Sequence, residues 1–476
     1  MIAPWAMEEV AASDLGDARL DKRLAELLSD LGSRPNLSIP AACGGRAEIK
    51  AAYRFFDNDK TTFEKVIEPH IAKTKDRMAL QEIVLMVQDT TEIDLTRPQQ
   101  EVKGAGELDG PRRGVLLHEM QAFAPDGTPL GTAWAEVLNR TEGVSHAPAA
   151  EKGRKRKQTP IEEKESMRWL TALREARNVA QEMPEVRCVC IADSEADIYE
   201  VFAEARGEQP LHWLIRSCQD RALDSETAQL MRDQVLATPA LYEVELVIRG
   251  RQAKTAAEDR ARRQNRETRR AKVEVRAACV TLRPPYRPDR KLPPVAVNIV
   301  LVREPNPPSG ETPVEWVLVT TLPIDTHEQV RTIVEYYCVR WCIEILFRTL
   351  KSGCRIERRR FEHVDRLLPC LGVYLIVAWR TLFVCRMGRS CPDLECEAIF
   401  EPSEWKAVWM AVKRTKLPTQ VPRLSEMVHL IASLGGYIER RKSEPGTQTL
   451  WIGMQRMYDL ALAWDTFGPE ARTGTI

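Results

Sequence analysis

Residues 82–89 read EIVLMVQD, five consecutive apolar side chains bounded by Glu82 and Gln88 and ending on Asp89. A short unbroken apolar run between polar residues is the pattern of a strand buried on both faces. The pattern returns at 186–193, VRCVCIAD, where a second strand stops at Asp193. An acid just beyond a buried strand commonly caps the next turn or helix. Two such strands offer another possibility, because two aspartates at one sheet edge present the hard oxygen donors that magnesium or manganese takes. On the residues alone both readings stay open.

Around these strands the chain alternates. RGVLLHEMQAF (113–123) and the segment after Asp126-Gly127, through Trp134 and Val137, form two strands joined by a turn. Glu162 to Asn178 is predicted helical, Pro184 breaks it, and LHWLIRS (211–217) follows Asp193 as another strand. Alternation in VELVIRG, VEVRAACVTL, VAVNIVLV and VEWVLVTT predicts a mostly β insertion at about 220–322. Residues 1–70 read as helical, with Asp17 capping a segment that carries Leu20, Leu24, Leu27, Leu28 and Leu31. From about 365 the pattern is helical again, punctuated by Pro392, Pro402, Pro418 and Pro422. The order of elements predicts a mixed sheet flanked by helices.

A third acid lies in YYCVRWCIEILFRTLK (336–351), within a helix predicted from about Thr326 to Leu350. At 100° per residue Tyr337, Arg340, Glu344, Arg348 and Lys351 fall on one narrow polar face, leaving Val339, Trp341, Ile343 and Leu346 for packing. An ordinary solvated stripe explains such a face. If it abuts the sheet edge instead, Glu344 completes a metal site, Arg340 and Lys351 hold phosphate oxygens, and Tyr337 donates a hydrogen bond to one.

At 476 residues the chain exceeds a single core and calls for about two to four domains. Its 43% hydrophobic and 29% charged residues are those of a soluble globular protein. The N-terminus, MIAPWAMEEVAASDLGD, has neither a basic region nor an apolar run, and the apolar stretch around Leu371 to Val384 is short and interrupted, so a buried helix is expected there and no membrane partner. The 12 cysteines are scattered, as buried thiols of a reducing cytoplasm are. Lys plus Arg and Asp plus Glu both number 69, so the net charge is zero, but the charges are uneven. RGRQAKTAAEDRARRQNRETRRAKVEVR, 249–276, is strongly basic despite its four acids, and a second basic run lies at 355–360.

The motifs together resemble those of the IS4-type DDE transposases. That family is marked by a DDE triad in an RNase H-like core and by a Y-(2)R-(3)E-(6)K signature, which stands here as Tyr337, Arg340, Glu344 and Lys351. QDTT at Asp89 and ADSEADIY at Asp193 match its two aspartates, and EEKES…WL (162–170), GETPVEW (310–316) and IASLGGYIER…LWIGMQRMYDL (431–460) are also similar. Phe347 and His363 depart from the pattern, standing where a polar residue and an acid are expected.

The resemblance implies an α/β RNase H-like catalytic core at 71–365 with a β-strand insertion, flanked by a helical DNA-end-binding domain at 1–70 and a helical dimerisation domain at 366–476. It implies a bacterial, cytoplasmic, nucleoid-associated cut-and-paste transposase, acting through water-made nicks, a hairpin, hairpin opening and strand transfer. Its partners are double-stranded DNA (terminal inverted repeats and target) and a second copy in a homodimer. The metal ligands would be Asp89, Asp193 and Glu344, holding two Mg²⁺ ions with Mn²⁺ as substitute. Arg216 matches a basic neighbour of the active site, Arg348 a basic position, and Trp316 the tryptophan that handles a flipped base. An inert DNA-binding regulator and a structure-specific nuclease are the rival readings. Neutralising the arginines between Arg260 and Arg270 is expected to reduce the salt dependence of DNA binding. An unchanged slope in a salt titration would remove their phosphate role.

Overall fold

A short proline-initiated helix, α1 (Pro4–Glu9), precedes α2 (Ala18–Ser33), whose first turn is capped as its sequence predicts: the Asp17 carboxylate accepts the Arg19 N–H. Leu24, Leu27, Leu28 and Leu31 form its buried face, while Leu20 is half-buried. Two further helices, α3 (Ile39–Cys43) and α4 (Arg46–Phe56), lead to α5 (Phe63–Ala79), which runs through residue 70 without a break. The computed structural model describes residues 2–97, 100–140, 159–205, 211–226, 229–248, 268–288, 290–439 and 444–469. The chain forms two units, Met1–His146 with Trp341–Ile476, and Ala147–Arg340.

In the first unit β1 (Ile83–Asp94) carries the 82–89 motif. Asp89 does not end this strand, as the apolar run suggested. Thr90 to Asp94 continue the ladder against β3, which follows the two-residue β2 (Gly106–Glu107), because Thr91 and Ile93 have the alternation that pairs with Leu117 and Val115. β3 (Arg113–Phe123) pairs on its other edge with β4 (Pro129–Leu138) through the Asp126-Gly127 turn.

The second unit opens with a 3₁₀ turn at Ile161–Glu163, so α6 (Met167–Glu182) starts later than the predicted Glu162. Then come β5 (Arg187–Ala192), α7 (Tyr199–Ala203), β6 (His212–Ser217), α8 (Met231–Leu236), β7 (Tyr242–Ile248), β8 (Arg269–Leu282), β9 (Val295–Arg303), β10 (Glu315–Thr320) and α9 (His327–Val339). Its strand order is β5-β6-β10-β9-β8-β7, with β5 and β6 parallel and every other pair antiparallel. The β insertion thus prolongs the sheet from β6. Most of the basic 249–276 segment lies outside the described residues. Its described end is neutralised on the sheet: Arg269 pairs with Glu304, Arg270 with Glu245, Lys272 with Glu243 and Arg276 with Glu274.

Thr326 and Gln329 close a reciprocal capping box at the start of α9. The single helix expected over 326–350 is interrupted at Arg340, after which α10 (Trp341–Arg348) runs into a π-helical turn at Thr349–Gly353. Among the described residues four more α-helices follow in the first unit: α11 (Val364–Ser390), α12 (Pro402–Lys413), α13 (Leu424–Leu434) and α14 (Thr447–Phe467). α11 is long and apolar enough to cross a membrane, yet most of it is buried within the unit, against α2, α5 and β4 and, further along, α13 and α14. A Cβ at Gly372 would meet Val66 at 3.0 Å and one at Gly388 would meet Val428 at 2.8 Å, so two glycines let α5 and α13 approach the α11 backbone. The outcome is a mixed β-sheet core flanked by N- and C-terminal helical regions, the arrangement expected of an RNase H-like fold.

A buried ionic cluster ties α1 to α5. Glu9 accepts hydrogen bonds from His70 Nδ1 at 2.5 Å and from Arg77 at 2.9 Å, and His70 Nε2 accepts the Thr132 N–H at 3.1 Å. This pattern requires the neutral Nδ1-protonated tautomer, and burial accordingly lowers the His70 pKa. Burial raises the Glu9 carboxyl, but His70 and Arg77 outweigh it and hold the group at about 2. Since its ordinary value is 4.5, the stabilisation is complete above about 4.5 and is lost as the pH falls toward 2. Glu9→Gln is expected to cost about 3 kcal/mol at neutral pH. Urea melts of both proteins should show that gap narrowing below pH 4.5; a constant gap would mean the carboxylate charge is not what matters.

Candidate active site

The sequence-designated residues divide between the units, five in Ala147–Arg340 and four in the other. In the first unit Asp89 is half-buried on β1 and accepts the Thr90 N–H at 2.7 Å. His118 pins the strand on either side of it, with Nδ1 at 2.8 Å from Thr90 Oγ1 and Nε2 at 3.2 Å from Gln88 Oε1. Glu119 lies directly opposite Asp89 in the β1–β3 register and is fully buried. Burial pushes its carboxyl up to about 8, so at neutral pH it is largely protonated and adds little negative charge beside Asp89. Neither His118 nor Glu119 has a distinguishing sequence signal, since both lie inside an apolar strand pattern.

Glu344 is exposed on α10, and α10 packs on β1. The mechanism is legible in the helix: Cys342, Ile343, Leu346 and Phe347 are buried, which turns Glu344 and Arg348 outward. Trp341, expected to pack, is half exposed instead, because the apolar face is already filled by these four. Arg348 makes no ion pair or hydrogen bond with any described residue. Lys351 sits in the π-turn, its ammonium 3.8 Å from Glu357 Oε1, and that same oxygen accepts the Asp94 N–H at 3.2 Å. Of the second basic run, Arg359 is no solvated charge: it is buried, donates to the Pro35, Leu37 and Cys354 carbonyls, and lies over the Tyr374 ring.

The second unit gathers the other five. Parallel pairing sets Ala192 beside Ile215, so Asp193 and Arg216 follow on neighbouring strands. Asp193 does cap a turn, its Oδ1 accepting the Glu195 N–H at 2.8 Å. That bond uses one oxygen, and Oδ2 has no hydrogen-bond partner among the described residues. The other acid of ADSEAD, Asp197, is saturated instead: Oδ2 accepts from Ser217 Oγ, Cys218 N and Gln219 N, and Oδ1 from Arg221. Asp197 therefore anchors the end of β6, and Asp193 retains an oxygen that no hydrogen bond from a described residue engages. Arg216 donates to Ser194 Oγ at 3.2 Å.

Tyr337 and Arg340, on the polar face that helical spacing left open as a solvated stripe or a packed surface, are both buried. Trp316 is half-buried on β10 and its ring lies 5.8 Å from that of Tyr337. Burial pushes the Tyr337 phenol up, the Arg216 and Arg340 guanidiniums oppose this, and the Asp193 carboxylate reinforces it. Its hydroxyl has no hydrogen bond of acceptable geometry among the described residues, even with Arg340 near. An unsatisfied buried hydroxyl between guanidiniums and an aromatic face suits an anionic, partly planar ligand.

Among the described residues no three His, Cys, Asp or Glu side chains are grouped closely enough to hold a metal ion. The donors themselves are carboxylates, the spare Asp193 oxygen and the outward Glu344 included, which is the chemistry a hard divalent cation requires. Residues 2–61 match the family described as Transposase DNA-binding, 164–368 the Transposase DDE domain, and 376–463 the Transposase Tn5 dimerisation domain. The DDE match includes Asp193 and Glu344 and begins after Asp89.

Tyr337→Phe removes a hydroxyl that no described residue satisfies, so folding stability should hold or rise by about 1 kcal/mol. If the hydroxyl is reserved for a ligand, the same variant cuts DNA more slowly. A thermal melt showing clear destabilisation with unchanged cleavage would make it a structural group.

Proposed function

We propose, from the premise that the chain belongs to the DDE transposases and carries a Tn5-type dimerisation domain, that it excises DNA by a hairpin route and joins the freed ends to target DNA. DDE chemistry depends on metal, and a dimerisation domain makes a homodimer. The finer reading is supported above all by one observation: the helix bearing Glu344 packs on the strand bearing Asp89, although the two acids are far apart in sequence.

Asp89, Asp193 and Glu344 are assigned to hold two Mg²⁺ ions, for which Mn²⁺ substitutes. Bound divalent metal supplies the Lewis acidity that makes a water or 3′-hydroxyl nucleophilic and offsets charge on the departing oxygen. Arg216, Arg340 and Lys351 neutralise the non-bridging phosphate oxygens, Arg348 adds an outward cation, and Tyr337 donates a hydrogen bond that fixes the phosphate's orientation. Trp316 offers its face to a base unstacked at the cleavage point. Nicking, hairpin formation, hairpin opening and strand transfer are all displacements at phosphorus, so one residue set serves each in turn without a covalent enzyme intermediate. Residues 2–61 bind the inverted repeat, and pairing of two ends accounts for the dimer.

The test is purified protein on DNA carrying the terminal repeats that flank its gene, with and without Mg²⁺, with strand breaks mapped. Metal-dependent nicks at the repeat boundary followed by hairpins and joined products are expected. Glu344→Gln should abolish every break while binding the repeat as the parent does. Tight binding without breaks by the parent, in Mg²⁺ and Mn²⁺ alike, would make the chain an inert regulator.

A further inference from the structure

We propose that Glu357 is a positioning residue, holding the Lys351 ammonium at the phosphate and tying it to the strand that carries Asp89; this rests on Lys351 being a phosphate contact. One carboxylate oxygen does both jobs. Glu357 Oε1 accepts the backbone N–H of Asp94, the last residue of β1, at 3.2 Å, and stands 3.8 Å from Lys351 Nζ. Thus β1 and the π-turn that carries Lys351 are linked through a single side chain.

Local conformation gives this link its purpose. The π-turn at Thr349–Gly353 departs from the α-helical register that Glu344 obeys, so helical spacing alone does not aim Lys351. The chain then reverses through Arg355, a non-glycine residue with φ of 53°, at a cost of about 1 kcal/mol, and enters the 3₁₀ turn Ile356–Arg358 that presents Glu357. Two residues on, buried Arg359 fastens the segment to the carbonyls of Pro35, Leu37 and Cys354. A strained reversal held by a buried arginine is a rigid platform, and Glu357 rides on it.

Stability does not account for the pair. The Lys351 and Glu357 side chains are 29% and 30% exposed, and at 3.8 Å a solvent-screened pair contributes little to folding. Its effect is to restrict a long side chain with several freely rotating bonds to the end of β1. An ammonium so held meets a phosphate without first losing that freedom, whereas an untethered lysine spends most of its time elsewhere.

The test is a double-mutant cycle in the full-length protein, reading single-turnover nicking and metal-free affinity for the repeat separately. Glu357→Gln should slow nicking about tenfold, with repeat affinity unchanged or slightly tighter because a competing carboxylate is gone. In a Lys351→Ala background the same substitution should change nothing. Glu357→Asp keeps the charge with a shorter reach and should nick at an intermediate rate. Equal slowing by Glu357→Gln in both backgrounds, or loss of affinity in step with rate, would overturn the positioning role and leave Lys351 as a phosphate contact. Lys351→Ala that nicks as fast as the parent and keeps the parent's salt slope in repeat binding would overturn the Lys351 contact itself, and the inference with it.

Discussion

The constraint on which the first unit depends is the enclosure of α11. Its 27 residues are apolar on nearly every side, and a helix without a polar face has no stable position at a water boundary. Enclosing it draws together segments from both ends of the chain: α2 and α5 from the N-terminal region, β4 from the hairpin, and α13 and α14 from the C-terminal region. Gly372 and Gly388 shorten the approach on two sides. Polar groups within it are met where they can be, as at Trp379, whose indole N–H donates to the Pro129 carbonyl beneath the Arg77 guanidinium, whereas the Tyr374 hydroxyl and Arg380 Nε are buried without a hydrogen-bond partner among the described residues. α11 also packs against α10, which carries Glu344, and its contact with β4 reaches β1 and Asp89 through β3.

Charge burial then sorts acids of similar sequence context into different roles. Glu9 stays ionised because Arg77 and His70 meet it, while Glu119, buried with only Thr132 donating to it, is shifted toward the protonated form. Asp197 is consumed by three donors at the end of β6 and by Arg221, whereas Asp193, four residues earlier, spends one oxygen on a cap and retains the other. A capping role and a ligand role are therefore compatible in one aspartate, and the choice left open by the apolar-strand-then-acid pattern is not a choice between exclusive alternatives.

Most strands were legible because their signal is local. The runs at 82–88, 186–192 and 211–217 and the Asp126-Gly127 turn need only alternation, apolar continuity and turn chemistry, and the structure forms strands at each. The same local logic failed where pairing or packing had the last word. β1 continues past Asp89 because β3 is long enough to pair with it. The helix over 326–350 breaks at Arg340, and of the two readings periodicity left open for its polar face, a solvated stripe or a packed one, Tyr337 and Arg340 take the packed one. Arg359, read as part of a basic run, is buried because three carbonyls and a tyrosine ring are available to it, and none of these is near it in sequence except Cys354.

The sequence by itself determined the element types, the outward face of Glu344 and the spacing of Tyr337, Arg340, Glu344 and Lys351, because each depends on backbone period and on neighbours a few residues away. Only tertiary structure decided which acid of ADSEAD is saturated, that Glu119 faces Asp89 as a largely neutral group, and that Glu357 joins Lys351 to the end of β1. Those outcomes depend on desolvation and on donors brought from distant segments, and neither quantity exists until the chain has closed around them.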